Sequence, residues 1–136
     1  MVYAKDMNRV AMQEIAQKAE EERKAHEEKM NKMIEKTIEF CHSTLSEMIE
    51  ERAYQGQRAV SLYITVPDED GICHIVKTVG PYTIEYKETI VLDKMKEILT
   101  NHAYKCDSWT NNYCTYRGKY RYQDKWIDGL RLTIKW

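Results

Sequence analysis

From Ala4 to Tyr54 the chain holds neither proline nor glycine, and Glu, Lys, Met, Ala and Gln are frequent. These residues lose little side-chain freedom in a helix, so the stretch is predicted to be helical from end to end. In its second half Met30, Met33, Ile34, Thr37, Ile38, Cys41, Leu45, Met48 and Ile49 recur mostly at three- and four-residue steps, which puts them on one face. The first half has a thinner stripe of Met12, Ile15, Ala16 and Ala19. Between the two, Glu20 to Lys29 is almost wholly charged and offers only Ala25 to the seam. Gly56 is the predicted stop, because glycine enters the left-handed cap conformation without a Cβ penalty. A continuous helix of this size would be roughly 75 Å long at 1.5 Å per residue, longer than a small domain is wide. Either the segment folds back as two antiparallel helices, for which no turn chemistry is present, or its first half pairs with another copy of the chain. Pairing is the preferred reading, since an isolated helix gains most of its stability from packing. Met12, Ile15, Ala19, Met30 and Met33 are then the seam of a homo-oligomer. Residues 1–56 form the oligomerisation segment and residues 57–136 an α+β domain.

Beyond Gly56 the hydrophobic period changes. Arg58 to Val66 alternates, with Val60, Leu62, Ile64 and Val66 on one side and Ser61, Tyr63 and Thr65 on the other, the pattern of a half-buried strand. Pro67-Asp68-Glu69-Asp70-Gly71 is a turn. Ile72 to Val79 returns as a second strand, Gly80-Pro81 punctuates, and Tyr82 to Tyr86 is a short third strand. Thr89 is a candidate N-cap for a helix from Ile90 to His102 that buries Val91 or Leu92, Met95, Ile98 and Leu99. Ala103 to Trp109 reads as a strand, Asn111-Asn112 as a turn and Tyr113 to Tyr122 as the strand's partner. The chain ends in strict alternation, so Leu130, Leu132, Ile134 and Trp136 are expected in the core. Together these elements predict an α+β fold, a long N-terminal helix followed by a small, mainly antiparallel sheet packed on one further helix.

The net charge of −1 conceals a gradient. Residues 1–57 carry 9 basic and 12 acidic side chains, residues 58–102 carry 5 and 7, and residues 103–136 carry 7 and 3, a local excess of +4. The opening MVYAKDMNRV has no apolar core of an export signal, and no run approaches the ~18 apolar residues of a membrane span. A cytoplasmic protein without membrane contact is expected, with its four cysteines reduced.

Few constellations point to catalysis. His102, Cys106 and Cys114 supply three candidate metal or redox residues, but without the closely paired spacing of a zinc knuckle. Cys41 falls on the helix stripe, where a thiol behaves as a small hydrophobe. Cys73 and His74 are neighbours on a strand and face opposite ways, so they cannot form the hydrogen-bonded pair that nucleophilic catalysis requires. Asp68-Glu69-Asp70-Gly71 lacks the alternating ligands of a calcium loop, and the scattered glycines make no phosphate loop. No cofactor or metal is expected, and Cys106 with His102 are the candidates left for an enzyme.

The functional flavour lies in Trp109 to Trp126. Trp109, Tyr113, Tyr116, Tyr120, Tyr122 and Trp126 interleave with Arg117, Lys119, Arg121 and Lys125. Rings stack on bases and cations neutralise phosphates. As a regular strand the segment would put Tyr116, Gly118, Tyr120 and Tyr122 on one side and Arg117, Lys119 and Arg121 on the other. The plain alternative is that tyrosines pack on a sheet while Arg and Lys decorate an edge strand. Taken as a ligand surface, the set is Trp109, Tyr113, Tyr116, Arg117, Lys119, Arg121 and Lys125.

The order of elements adds one resemblance. A Glu/Lys-rich helix, a Gly and a strand precede Met95-Lys96-Glu97-Ile98-Leu99. Ala103-Tyr104-Lys105-Cys106 and a terminal Leu132-Thr133-Ile134-Lys135-Trp136 follow. This resembles small accessory proteins encoded by tailed bacteriophages, although Ala103 stands where those proteins more often carry Gly. The resemblance implies a phage accessory protein, acting against host defence. The expected function is then stoichiometric binding of a small anionic ligand such as a nucleotide signal, or of a host protein. A structural adaptor that oligomerises through its helix, or a small nucleic-acid-binding protein, is the alternative.

Overall fold

The computed structural model describes residues 1–78 and 84–136, so Gly80-Pro81 and the beginning of the strand expected from Tyr82 lie outside the described residues. The chain falls into two compact units, Met1–Lys32 and Met33–Trp136. In the first, helix α1 (Ala4–Phe40) runs from Ala4 onward. Its charged stretch is a solvated face on which Arg23 pairs with Glu20 at 2.7 Å and with Glu27 at 3.1 Å. These are the three- and four-residue separations at which helix side chains meet.

No turn interrupts the helical segment. α1 passes into a π-helical turn, Cys41–Leu45, and then into α2 (Ser46–Tyr54), with right-handed backbone angles at Phe40 and Ser46 on either side. The sequence spacing accounts for the wide turn. Thr37, Cys41, Leu45 and Ile49 are all buried, and each is four residues from the next. Each such step overshoots a 3.6-residue turn by roughly 40°, so three steps would carry the stripe roughly 120° off the core. A turn closed from i to i+5 absorbs an extra residue and brings the stripe back. The Ser46 hydroxyl donates to the Cys41 carbonyl at 2.7 Å across this turn. At Gly56, which has φ +81°, the helix stops as expected. Gly56 N–H donates to the Ala53 carbonyl and Gln57 N–H to the Arg52 carbonyl, both at 2.9 Å, the pairing of a Schellman cap.

Strands β1 (Ala59–Thr65), β2 (Ile72–Thr78), β3 (Ile84–Val91), β4 (Lys105–Tyr116) and β5 (Lys125–Lys135) form one antiparallel sheet in the order β3-β2-β1-β5-β4. Helix α3 (Leu92–Asn101) connects the two edge strands. One face of the sheet is the core face. There Val60, Leu62, Ile64, Cys73, Ile90, Leu132 and Ile134 pack with Phe40, Cys41, Leu45 and Ile49 from the helical segment and Leu92, Met95 and Leu99 from α3. The alternation read in β1 and at the end of β5 is thus the core register for Val60, Leu62, Ile64, Leu132 and Ile134, whereas Val66 falls past the end of β1 and is exposed.

Several boundaries differ from the sequence expectation. Thr89 does not cap a helix. It lies in β3 opposite His74, and its hydroxyl is 3.0 Å from the His74 Nδ1. α3 begins straight out of the strand at Leu92 with no side-chain cap, and two distant groups take over. The Gly71 carbonyl accepts from Leu92 N–H at 3.0 Å, and the buried Thr37 hydroxyl accepts from Val91 N–H at 2.8 Å. Asn111-Asn112 is not a turn either. β4 continues through it to Tyr116, with Asn111 opposite Gly129 and Asn112 opposite Asp128. Trp136 lies beyond β5 and is part exposed, its ring edge-on to Tyr104. The strand partners end at Ala59 and Lys105, so only its N–H joins the sheet edge, donating to the Arg58 carbonyl at 3.1 Å.

α3 ends on Ala103, the one described non-glycine residue with positive φ, at 64°. Ala103 N–H donates to the Thr100 carbonyl and Tyr104 N–H to the Leu99 carbonyl, both at 3.0 Å. This is the same Schellman cap as at Gly56 but with a Cβ in the left-handed region, a strain of about 1–2 kcal/mol.

Candidate functional site

The seven ligand residues singled out from the sequence do not converge. Trp109 and Tyr113 stand within β4 on the sheet face opposite the core, whereas Tyr116 ends that strand. Trp109 and Tyr116 are seven steps apart along the strand, roughly 23 Å, too far for one nucleotide to touch both. Arg117, Lys119 and Arg121 lie in the β4–β5 connection, where Arg121–Gln123 makes a 3-10 turn, and Lys125 opens β5. The predicted strand over Tyr113 to Tyr122, with rings on one side and cations on the other, is therefore replaced by a hairpin end.

That end is held by its own side chains. The largely buried Asp124 carboxylate accepts from Gly118 N–H at 3.0 Å and faces Arg117 Nε at 3.9 Å. The Gln123 side chain accepts from Tyr120 N–H at 3.2 Å and lies against Gly118, where an added Cβ would come within 2.2 Å of the Gln123 Cβ. Tyr120 and Tyr122 stack with centroids 5.6 Å apart and planes 3° from parallel. Lys119 lies over the Tyr120 ring and Lys125 over the Tyr116 ring. Tyr116, Tyr120, Tyr122 and Trp126 are all exposed. Among the described residues Lys119, Arg121 and Lys125 face no carboxylate within ion-pair distance. The hairpin end thus presents rings and free cations together, while Arg117 is committed to Asp124.

Tyr113 is a packing residue. It is buried, its hydroxyl donates to the Leu130 carbonyl at 3.0 Å, and its ring covers Gly129, where a Cβ would meet Cε2 at 2.0 Å. Burial pushes its phenol pKa up. Trp109 stays half in water beside Arg131, Asn111 and Thr133, which line a shallow depression of about 380 Å³. Sequence reading missed Arg131 and Tyr63, because their place beside Trp109 depends on strand order.

The thiols and histidines do not form a centre. Burial raises the Cys41 thiol to about 11 and the Cys73 thiol to about 12, and it pushes the half-buried Cys106 up as well. Such thiols are protonated near neutrality and are poor nucleophiles. His102 Nδ1 is 2.8 Å from the Ile98 carbonyl and Cys114 Sγ is 3.3 Å from the Tyr116 carbonyl. No group of three potential metal ligands comes together among the described residues. Asp68 Oδ1 is taken by the N–H groups of Asp70 and Ile72, which is the turn role expected for the acidic cluster.

A cleft of about 620 Å³ opens where β1 and β2, bridged at Ile64 and Ile75, diverge over Phe40, Thr44 and Met48. Its rim mixes Lys77, Lys87 and Glu88, and Lys87 is already paired with Glu85 at 3.1 Å. That rim selects no ligand charge.

No protein-family model, curated protein or solved structure matches this chain. Among the described residues no helix is long and apolar enough to cross a membrane.

Proposed function

We propose that the chain works by stoichiometric binding, and that the β4–β5 hairpin end takes a ligand built of nucleotide units. The observation that carries this reading is the hairpin end itself, where exposed Tyr120 stacks on exposed Tyr122 with Lys119 over the Tyr120 ring, and exposed Tyr116 carries Lys125 over its ring. Stacked rings offer faces to bases at about 1–3 kcal/mol each, and lysine and arginine neutralise phosphate. A free nucleotide signal and the end of a nucleic-acid strand share this chemistry. The resemblance to phage accessory proteins fits a binder that sequesters such a molecule in the host cytoplasm. Titrating the full chain with linear and cyclic mononucleotides, and with a short oligonucleotide, separates the two sources through tryptophan emission. The paired change Lys119→Ala and Arg121→Ala is expected to weaken binding about tenfold or more with no change in melting temperature. Equal binding by that variant and the parent sinks the reading.

A second reading rests on the other unit. Met12 and Ile15 are 71% and 69% exposed, and Ala19 is exposed with them, a row of apolar side chains on one helix face that water does not favour. Met30 and Met33 are part-buried. Self-association of the full chain through Met12, Ile15 and Ala19 would cover this row, and it is the adaptor alternative. Light scattering of the intact chain is expected to give a multiple of 16.2 kDa, falling to the monomer on Met12→Glu with Ile15→Glu. A monomer from the outset removes it. A host protein seated on the same row is the remaining partner class.

A further inference from the structure

We propose that the open face of β1, β5 and β4 is a second site, a stacking platform for single-stranded nucleic acid, with Trp109 and Tyr63 as its rings and Arg131 between them as its phosphate contact. Arg131 is opposite Trp109 across the β4–β5 pair and opposite Tyr63 across the β1–β5 pair. The three side chains therefore form one row across three strands on the face away from the core. Neighbouring strands are about 4.8 Å apart, which sets the two rings roughly 10 Å from each other. α2 and α3 pack on the other, core face. Trp109 is 51% and Tyr63 is 41% exposed, while Tyr113, on the same face, is 7% exposed.

The row is pre-organised. Arg131 Nε donates to the Ser61 hydroxyl at 3.3 Å, and its guanidinium lies 6.0 Å from the Tyr63 centroid. Ser61 is fixed in turn by the Thr133 hydroxyl at 3.1 Å. Tyr63 is braced edge-on by Tyr113, with centroids 6.2 Å apart. Arg131 thus keeps a stated position without a carboxylate partner among the described residues. The remaining charges on this face of the three strands are Lys105, Lys125 and Lys135 against Asp107 alone, and Asp107 is neutralised by Lys135 at 2.9 Å. Asn111 borders the depression beside Trp109 and supplies amide groups for a base edge.

Charge and flatness together choose the occupant. The face is positive, which disfavours a basic protein surface. Its rings lie on an open sheet, where they can meet only bases already out of a stack. Single strands are bound in this way, by aromatic platforms flanked by cations, whereas duplexes hide their ring faces. With bases splayed onto Trp109 and Tyr63, the phosphate chain linking them would pass over Arg131, which stands between the two rings.

A fluorescein-labelled oligothymidylate of twelve nucleotides, followed by anisotropy with the full chain, tests the proposal. Trp109→Ala and Tyr63→Ala are each expected to weaken binding at least about fivefold, with Trp109→Phe and Tyr63→Phe close to the parent. Tyr86→Ala removes a comparably exposed ring on β3 and is expected to change nothing. Arg131→Gln should lower the dependence of log affinity on log salt by about 0.7, one single-strand phosphate. Parental affinity in both alanine variants overturns the platform, and so does equal binding of a duplex of the same length. The hairpin-end variant Lys119→Ala with Arg121→Ala keeps the two readings apart. If it binds mononucleotides like the parent while the Trp109 and Tyr63 variants lose the oligonucleotide, the hairpin reading fails and the platform stands.

Discussion

Replacing Leu45 with alanine is expected to lower the unfolding free energy by about 2–5 kcal/mol. Leu45 is fully buried, closes the π-helical turn and packs in the cluster that joins the helical segment to the sheet. The loss combines the transfer free energy of the removed methyl groups with the cavity that remains. The site has little freedom to collapse, because its wall is sheet on one side and a turn of fixed width on the other. Urea unfolding followed by circular dichroism reads the change as a lower midpoint at constant slope. A loss below about 1 kcal/mol would place Leu45 outside the structural core.

Thr37→Val is expected to cost about 1–3 kcal/mol although shape and volume barely change. The Thr37 hydroxyl donates to the Met33 carbonyl at 2.8 Å and accepts from Val91 N–H at 2.8 Å. Valine leaves the Val91 donor buried with no partner, and desolvation of an unpaired group costs more than the net worth of the bond. Thr37→Ser keeps the oxygen and is expected to retain the bond while losing only a methyl group. Hydrogen exchange at the Val91 amide provides a local reading, with fast exchange in the valine variant and protection in the serine variant. Equal stability of the valine and parent chains would falsify the assignment of this hydroxyl as the cap between β3 and α3.

How far the sequence reached depended on how local each feature is. The helical segment was legible because its signal is repeated over many turns, and Gly56 because a cap is decided by a few backbone angles. The core face of β1 was legible from Val60, Leu62 and Ile64, since alternation fixes which side is apolar. Thr37 was visible only as a member of the stripe. Nothing in its neighbours announces that its hydroxyl would be bonded to a backbone amide 54 positions away. Asn111-Asn112 has genuine turn chemistry, yet β4 passes through it because pairing with Gly129 and Asp128 satisfies the backbone along the whole ribbon. Moving the turn to residues 117–124 also took Arg117, Lys119 and Arg121 off a strand, so the candidate ligand residues separated into a hairpin end and a sheet face.

By itself the sequence determined element types and which side of each is apolar, because periodicity and propensity act through neighbours three or four positions apart. Only the tertiary structure decided where β4 ends, what caps α3, and that Trp109, Arg131 and Tyr63 share a row. Those outcomes depend on hydrogen bonds and strand order between residues far apart in the chain, and no local preference encodes such partners.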